Sequence, residues 1–226
     1  MLRGRQRYKT HAGIPHGSTN NLGSDLSFYL QWKEGCTAAQ WDDQSSNNNH
    51  AAQSTAGDQA AIAADGSLDF VLSEADHYDF GTDMAIVNEE GFVAWIVVNL
   101  DDSSVNSCVL GMGTAAHFLE FRAGGDDMGI KLGGTNTTIS PGDGDNNDFA
   151  SGSKMVVTMQ KEAGGTGNIN LYKNGVLLAQ DSQASNFKDA EFNTLGMRSG
   201  DRYLDGKIYD VIFIQEGAAS LAHIKR

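Results

Sequence analysis

A chain of 226 residues with 40% hydrophobic content is long enough to bury one large core, and 27 Gly against two Pro suit a fold with many tight turns. A formal net charge of −13 excludes a nucleic-acid-binding surface over most of the body. No apolar run approaches the roughly 18 residues that a membrane-spanning helix needs.

The opening stretch, MLRGRQRYKTHAGIPHG, places Arg3, Arg5, Arg7 and Lys9 in the first nine positions without an acid among them. Taking these four from the 16 basic residues leaves 12 against 29 acidic ones, a net charge of −17 for the remainder. Residues 1–24 therefore read as a basic arm that docks on an acidic surface, and residues 25–226 as one domain. No apolar segment follows the basic residues, so the stretch does not read as a secretory signal.

From Leu26 onward the hydrophobic period is two. Leu26, Phe28, Leu30 and Trp32 share one face of the first strand, which predicts Trp32 in the core. Further strands are expected around 59–64, 67–72, 107–112, 116–122, 128–132, 154–160, 167–173, 176–181, 193–198 and 206–215. The segment GFVAWIVVNL (91–100) is apolar on both faces, Phe92, Ala94, Ile96 and Val98 on one and Val93, Trp95 and Val97 on the other, as in a central strand covered on both sides. Asn174-Gly175 between two apolar runs predicts a hairpin with a type I′ turn. Only GAASLAHIK at the end reads as a short helix. Many short strands with Gly/Asp/Asn/Ser clusters between them predict an all-β sandwich or barrel. Two cysteines, Cys36 and Cys108, fit free thiols in a reducing compartment.

Three segments carry a resemblance to a known family. In WDDQSSNNNHAAQ (41–53), Trp41, Asp43, Ser45, Asn47, Asn49, His50 and Ala51 match a W-x-D-x-S-G-N-x-N-H-A pattern, with Ser46 where Gly is usual. INLYKNGVLLAQ looks like a Y-x-N-G hairpin, and YLDGKIYDVIFIQ (203–215) like a closing strand F-x-G-x-I-x-D/E-V-x-I. In order and spacing these resemble the laminin-G-like jelly rolls of the concanavalin A-like lectin/glucanase superfamily, over roughly residues 25–226. The resemblance implies an antiparallel jelly-roll sandwich. It also implies that the polar run at 41–53 is an early turn whose side chains cap backbone N–H groups. It says little of function, because such sandwiches host lectins, hydrolases, adhesins and virion proteins.

The residues do not assemble a catalytic set. Glycosidases of this fold need paired carboxylates, on one strand as E-x-D-x-E or E-x-D-x-x-E, yet after Glu74-Ala75-Asp76 the later positions hold Tyr78 and Asp79. These polar residues read as an exposed face. Ser151-Gly152-Ser153-Lys154 lacks the companion motifs of a serine acyl-transfer enzyme, and the six His show no metal-ligand spacing. Calcium fits better: Asp outnumbers Glu by 21 to eight, and the loop PGDGDNNDF offers Asp143, Asp145, Asn147 and Asp148 as oxygen ligands. The expectation is a non-enzymatic virion structural protein, a capsid decoration or tail or fibre accessory. Arg3, Arg5, Arg7 and Lys9 would hold it to other virion proteins, and the sandwich would face outward toward host glycans. A homo-oligomer is compatible with this, and a membrane is not implicated. The alternative is a calcium-dependent carbohydrate-binding module or lectin.

Overall fold

The computed structural model describes residues 26–216, apart from 88, 114–116, 134, 142–147, 165–166 and 182–187. The arm at 1–24 and the expected helix near the C-terminus lie outside the described residues. Among the described residues, eighteen strands, all paired antiparallel, make two large sheets and one small ribbon.

The first sheet is centred on β7 (Gly91–Leu100) and β18 (Gly206–Glu216), which pair along the whole of β18 with one bulge between Ile208 and Asp210. On the far side of β7 follow β12 (Met155–Lys161), β13 (Ile169–Lys173) and β14 (Val176–Asp181). The other edge of β18 is shared end to end: β5 (Leu68–Phe70) takes Gly206 to Ile208, and β1 (Leu26–Leu30) takes Val211 to Ile214. β4 (Ala61–Ile62) closes that side.

The second sheet opens with β2 (Gln40–Trp41), β3 (Ala51–Ala52) and β6 (Tyr78–Ile86). β15 (Ala190–Leu195), β8 (Ser107–Gly111), β9 (Phe118–Phe121), β10 (Met128–Leu132) and β11 (Thr135–Ile139) complete it. A ribbon of β16 (Met197–Arg198) and β17 (Arg202–Tyr203) packs beside β8.

Alternation puts one face of each sheet into a shared core. Phe92, Ala94, Ile96, Val98 and Leu100 of β7 and Ile208, Val211 and Phe213 of β18 meet Val109, Leu119, Phe121, Ile130 and Phe192 of the second sheet. Phe92 stacks on Phe213 at 5.3 Å between ring centres, and Phe192 meets Phe213 edge-on at 6.1 Å. Each aromatic ring removed from water here contributes on the order of 1.5–3 kcal/mol.

β7 is central, as its sequence requires. Its outward face differs from expectation, because Trp95 is only half-buried there, against a small cluster of Leu26, Tyr29, Ile212 and Ile214. The hairpin is as expected: Asn174 and Gly175 both take positive φ, 49° and 81°, which a type I′ turn demands. β6 was not foreseen. Its inward residues Tyr78, Phe80, Met84 and Ile86 keep the period of two, but Gly81, Thr82 and Asp83 interrupt the apolar signal. Glu74-Ala75-Asp76 also differs. Glu74 is exposed, while Asp76 is fully buried, accepts the Val71 N–H at 2.8 Å, and is raised above the usual carboxylate range by burial.

A buried ionic clip fixes the ribbon to the second sheet. Glu120, fully buried in β9, pairs with the Arg122 guanidinium and with Arg198 Nε at 2.5 Å, and the Arg198 guanidinium lies 4.0 Å from the centre of the Phe118 ring. Removing the charge alone leaves two guanidinium groups without it. Glu120→Gln is expected to lower unfolding stability by about 3–5 kcal/mol, read from the midpoint of urea denaturation. An unchanged midpoint would show that the clip adds nothing.

Candidate functional site

The polar run at 41–53 is a turn in which Asp43, Ser45, Asn47, Asn49 and His50 spend their hydrogen bonds on the chain itself. The Tyr29 and Ser45 N–H groups donate to Asp43 Oδ1, each at 2.9 Å. Ser45 Oγ and the Asn49 N–H donate to Oδ2 at 2.6 and 2.8 Å. Asn47 Nδ2 donates to the carbonyls of Leu26 and Ser27, and Asn49 exchanges two hydrogen bonds with the Thr82 backbone. The Asp43 N–H donates to His50 Nδ1 at 3.1 Å, and Trp41 Nε1 donates to Gln31 O at 2.9 Å. The segment is a structural knot, as its resemblance to the family implies.

The residue that does face outward is Trp32. β1 ends at Leu30, and Lys33 adopts a left-handed φ of 66°, so the alternation stops and Trp32 turns away from the core. Its backbone N–H donates to Asp210 Oδ1 at 2.7 Å and its indole Nε1 to Asp65 O at 3.1 Å. The ring meets Tyr209 edge-on at 5.9 Å. Lys33 Nζ lies 4.4 Å from the Trp32 ring centre, and Lys154 Nζ lies 4.8 Å from it and 4.1 Å from that of Tyr209. The Lys33 stem runs over Gly66, where a Cβ would come within 2.7 Å of it and where φ is 88°.

Two carboxylates support this shelf. Asp65 accepts from Ser67 Oγ at 2.6 Å and from the Tyr209 hydroxyl at 3.0 Å, and the Ser67 hydroxyl above all holds it below its ordinary range. Burial pushes Asp210 up to about 6, against the Trp32 N–H and the Lys154 charge, which favour ionisation. Beside the shelf lies a shallow open concavity of about 440 Å³, lined by Lys33, Gly35, Cys36, Thr37, Gln40 and Asp42. A half-exposed indole, two exposed cations and adjacent amide, hydroxyl and carboxylate groups can stack a sugar ring and hydrogen-bond its hydroxyls.

The other foreseen sites fare differently. Arg3, Arg5, Arg7, Lys9, Asp143, Asp145 and Asn147 lie outside the described residues; Asp148 is described and half-buried. Among the described residues, no three His, Cys, Asp or Glu side chains gather as a metal site. Both cysteines are free. Burial and the Asp42 charge raise Cys36 to about 11, and burial raises Cys108 well above its usual value, so neither is an activated thiolate.

No protein-family profile and no curated protein matches the sequence. Solved structures match the fold. The binding domain of Paraclostridial Mosquitocidal Protein 1 aligns with 90% of this chain and 52% of its own, at a TM-score of 0.60 and 14% identity. The receptor-binding domain of botulinum neurotoxin C/D mosaic serotype aligns with 89% and 51%, at 0.54 and 11%. A structure of botulinum neurotoxin type C, whose cell entry depends on interaction with two ganglioside molecules, aligns with 92% and 51%, at 0.53 and 13%. This chain thus spans about half the length of the toxin domains it matches. It is an all-β antiparallel sandwich of the jelly-roll fold.

Asp210 gives the site a testable pH signature. The folded chain holds the Asp210 proton up to about pH 6, whereas an unfolded carboxyl loses it near 3.8. Between those values the folded state binds more protons, so this group's contribution to stability falls as pH rises. Asp210→Asn keeps an acceptor for the Trp32 N–H and removes the half-buried charge. Thermal melts should show that the variant loses this decline between pH 4 and 6 and is at least as stable as the parent at pH 7.5. A lower melting temperature at pH 7.5 would mean that the Lys154 attraction outweighs the burial cost.

Proposed function

We propose that this chain is a non-enzymatic glycan-recognition domain whose contact is the Trp32 shelf. The observation that carries the reading is the half-exposed indole flanked by Lys33 and Lys154, with Lys33 also lining the neighbouring concavity. The jelly-roll fold agrees with it, while the ligand class rests on the shelf itself. The glycosidase alternative lacks the paired carboxylates in sequence, and Asp76 is committed to the Val71 N–H.

A glycan microarray probed with the full chain and with Trp32→Ala tests this. The substitution keeps the backbone bond to Asp210, so the fold is expected to survive. Binding should fall roughly tenfold or more, about 1.4 kcal/mol. An array without bound glycan, or equal binding by the variant, would sink the reading. Repeating the array in EDTA decides whether calcium on the loop of Asp143, Asp145, Asn147 and Asp148 belongs to the mechanism: loss of binding assigns the ion a role, and unchanged binding removes it.

The second reading places the domain on a virion, as a decoration or a tail or fibre accessory that displays this shelf to host glycans. Its support is the segregation of charge, with Arg3, Arg5, Arg7 and Lys9 ahead of a remainder holding 12 basic and 29 acidic residues. Electrostatic anchoring of this kind weakens as salt shortens the screening length. In gradient sedimentation of the native lysate, full-length protein should travel with large particles at low salt and detach in 1 M NaCl, and a chain lacking residues 1–20 should stay at the top. Identical sedimentation of the two proteins would remove the anchor.

A further inference from the structure

The shelf sits at one corner of a longer outward row on the first sheet. Following the strand register across the sheet, the row runs Tyr172 on β13, Thr158 on β12, Trp95 on β7, Ile212 on β18 and Tyr29 on β1. Five neighbouring strands span about 19 Å at the usual separation of ~4.8 Å, the length of several pyranose rings. Tyr172, Thr158 and Trp95 are half-buried, whereas Ile212 and Tyr29 are sunk into the floor. Trp32, Tyr209 and Lys154 stand beyond the β1 end, where Asp210 of β18 receives the Trp32 N–H. The next row runs from exposed Gln180 through the buried amides of Asn170 and Gln160 to buried Val93 and Ile214: Gln180 Nε2 donates to Asn170 Oδ1 at 2.7 Å, and Gln160 accepts from the Tyr172 hydroxyl at 3.4 Å. Aromatic rings at separate points along one face, edged by amides, suit a chain rather than a single sugar.

The charge at the corner narrows the class. Lys33 and Lys154 are exposed, and among the described residues neither forms an ion pair. The neighbouring acids make their hydrogen bonds elsewhere, Asp65 with Ser67 and the Tyr209 hydroxyl and Asp210 with the Trp32 N–H, although both also feel the Lys154 charge. Glu34 is exposed next to Lys33 in sequence. Resting on the glycan reading above, we infer that the ligand is a linear carboxylated polysaccharide, lying across the strands from Tyr172 past Trp95 to Trp32, with its acid groups on Lys33 and Lys154.

Isothermal titration of the full chain with dimers and hexamers of galacturonate, guluronate and hyaluronan, and with neutral cellohexaose, tests this. At least one acidic hexamer should bind roughly tenfold tighter than its dimer, about 1.4 kcal/mol, and tighter than cellohexaose. Trp95→Ala should remove the advantage of length. Tyr172→Ala, at the periphery of the sheet, serves the same purpose should the first variant melt early. Lys154→Ala should remove the preference for acidic chains, and Glu34→Gln should strengthen binding to them. Equal affinities for dimer and hexamer, or a preference for the neutral chain, would overturn the inference while leaving the Trp32-dependent array signal standing. A chain that binds no glycan on the array overturns both.

Discussion

The Asp43 carboxylate is the constraint on which the rest of the edge depends. Four donors converge on its two oxygens, from Tyr29, Asn49 and twice from Ser45, so it is buried without an unmet acceptor. Hydrogen bonds to a charged acceptor are worth about 1.5–3 kcal/mol each, more than neutral ones. They join β1 of the first sheet to the turn that begins the second sheet. Because Tyr29 is fixed by Asp43 and Trp32 by Asp210, the two residues between them, Leu30 and Gln31, have little freedom. The indole is therefore presented in one orientation, by hydrogen bonds made entirely outside its own ring face.

Buried charge recurs in this molecule, and each instance is settled differently. Asp43 is met by neutral donors, Glu120 by two arginines, and Asp210 by one backbone N–H and a nearby lysine. Lys161, fully buried at the end of β12, donates to the carbonyls of Glu90, Glu162 and Gly164 at 3.2–3.3 Å. The first and last tie loops to strands, and Glu120 ties the ribbon to a sheet. Asp210, half-buried, has the Trp32 N–H and the Lys154 charge, and fully buried Asp76 has the Val71 N–H; burial outweighs these partners, so both carboxyls hold their protons to higher pH than an ordinary one.

Periodicity made most of the sandwich legible. The inward residues of β7, β12, β13 and β18 could be read from alternation alone, because one face of each packs into the core. The turn at 41–53 was legible through its motif, and every matched polar residue there has a partner. β6 was hidden by Gly81, Thr82 and Asp83, which interrupt an otherwise regular strand. Trp32 was misplaced because alternation carries no signal for the left-handed turn at Lys33 that ends it. Trp95 looked internal because valines flank it, yet its own side of β7 faces outward over a small cluster. Glu120 sits in the apolar run FLEF, with its arginine partners two and 78 residues away, and no local pattern reveals such a pairing.

Those misplacements bear directly on where recognition can occur. A dense polar run draws attention as a ligand site, but once its donors and acceptors serve the backbone it has little left to offer a ligand. Recognition requires groups with spare capacity. On the first sheet these are the ring faces of Trp32, Trp95 and Tyr172 and the ammonium groups of Lys33 and Lys154, which touch rings rather than carboxylates. Cation–ring contacts at exposed sites are worth about 0.5–1 kcal/mol, less than a charge-assisted hydrogen bond to an incoming carboxylate. The contacts that hold the lysines are thus weaker than the ionic hydrogen bonds an ammonium group can make, while the indole beneath them stays where Asp210 and Asp65 have set it.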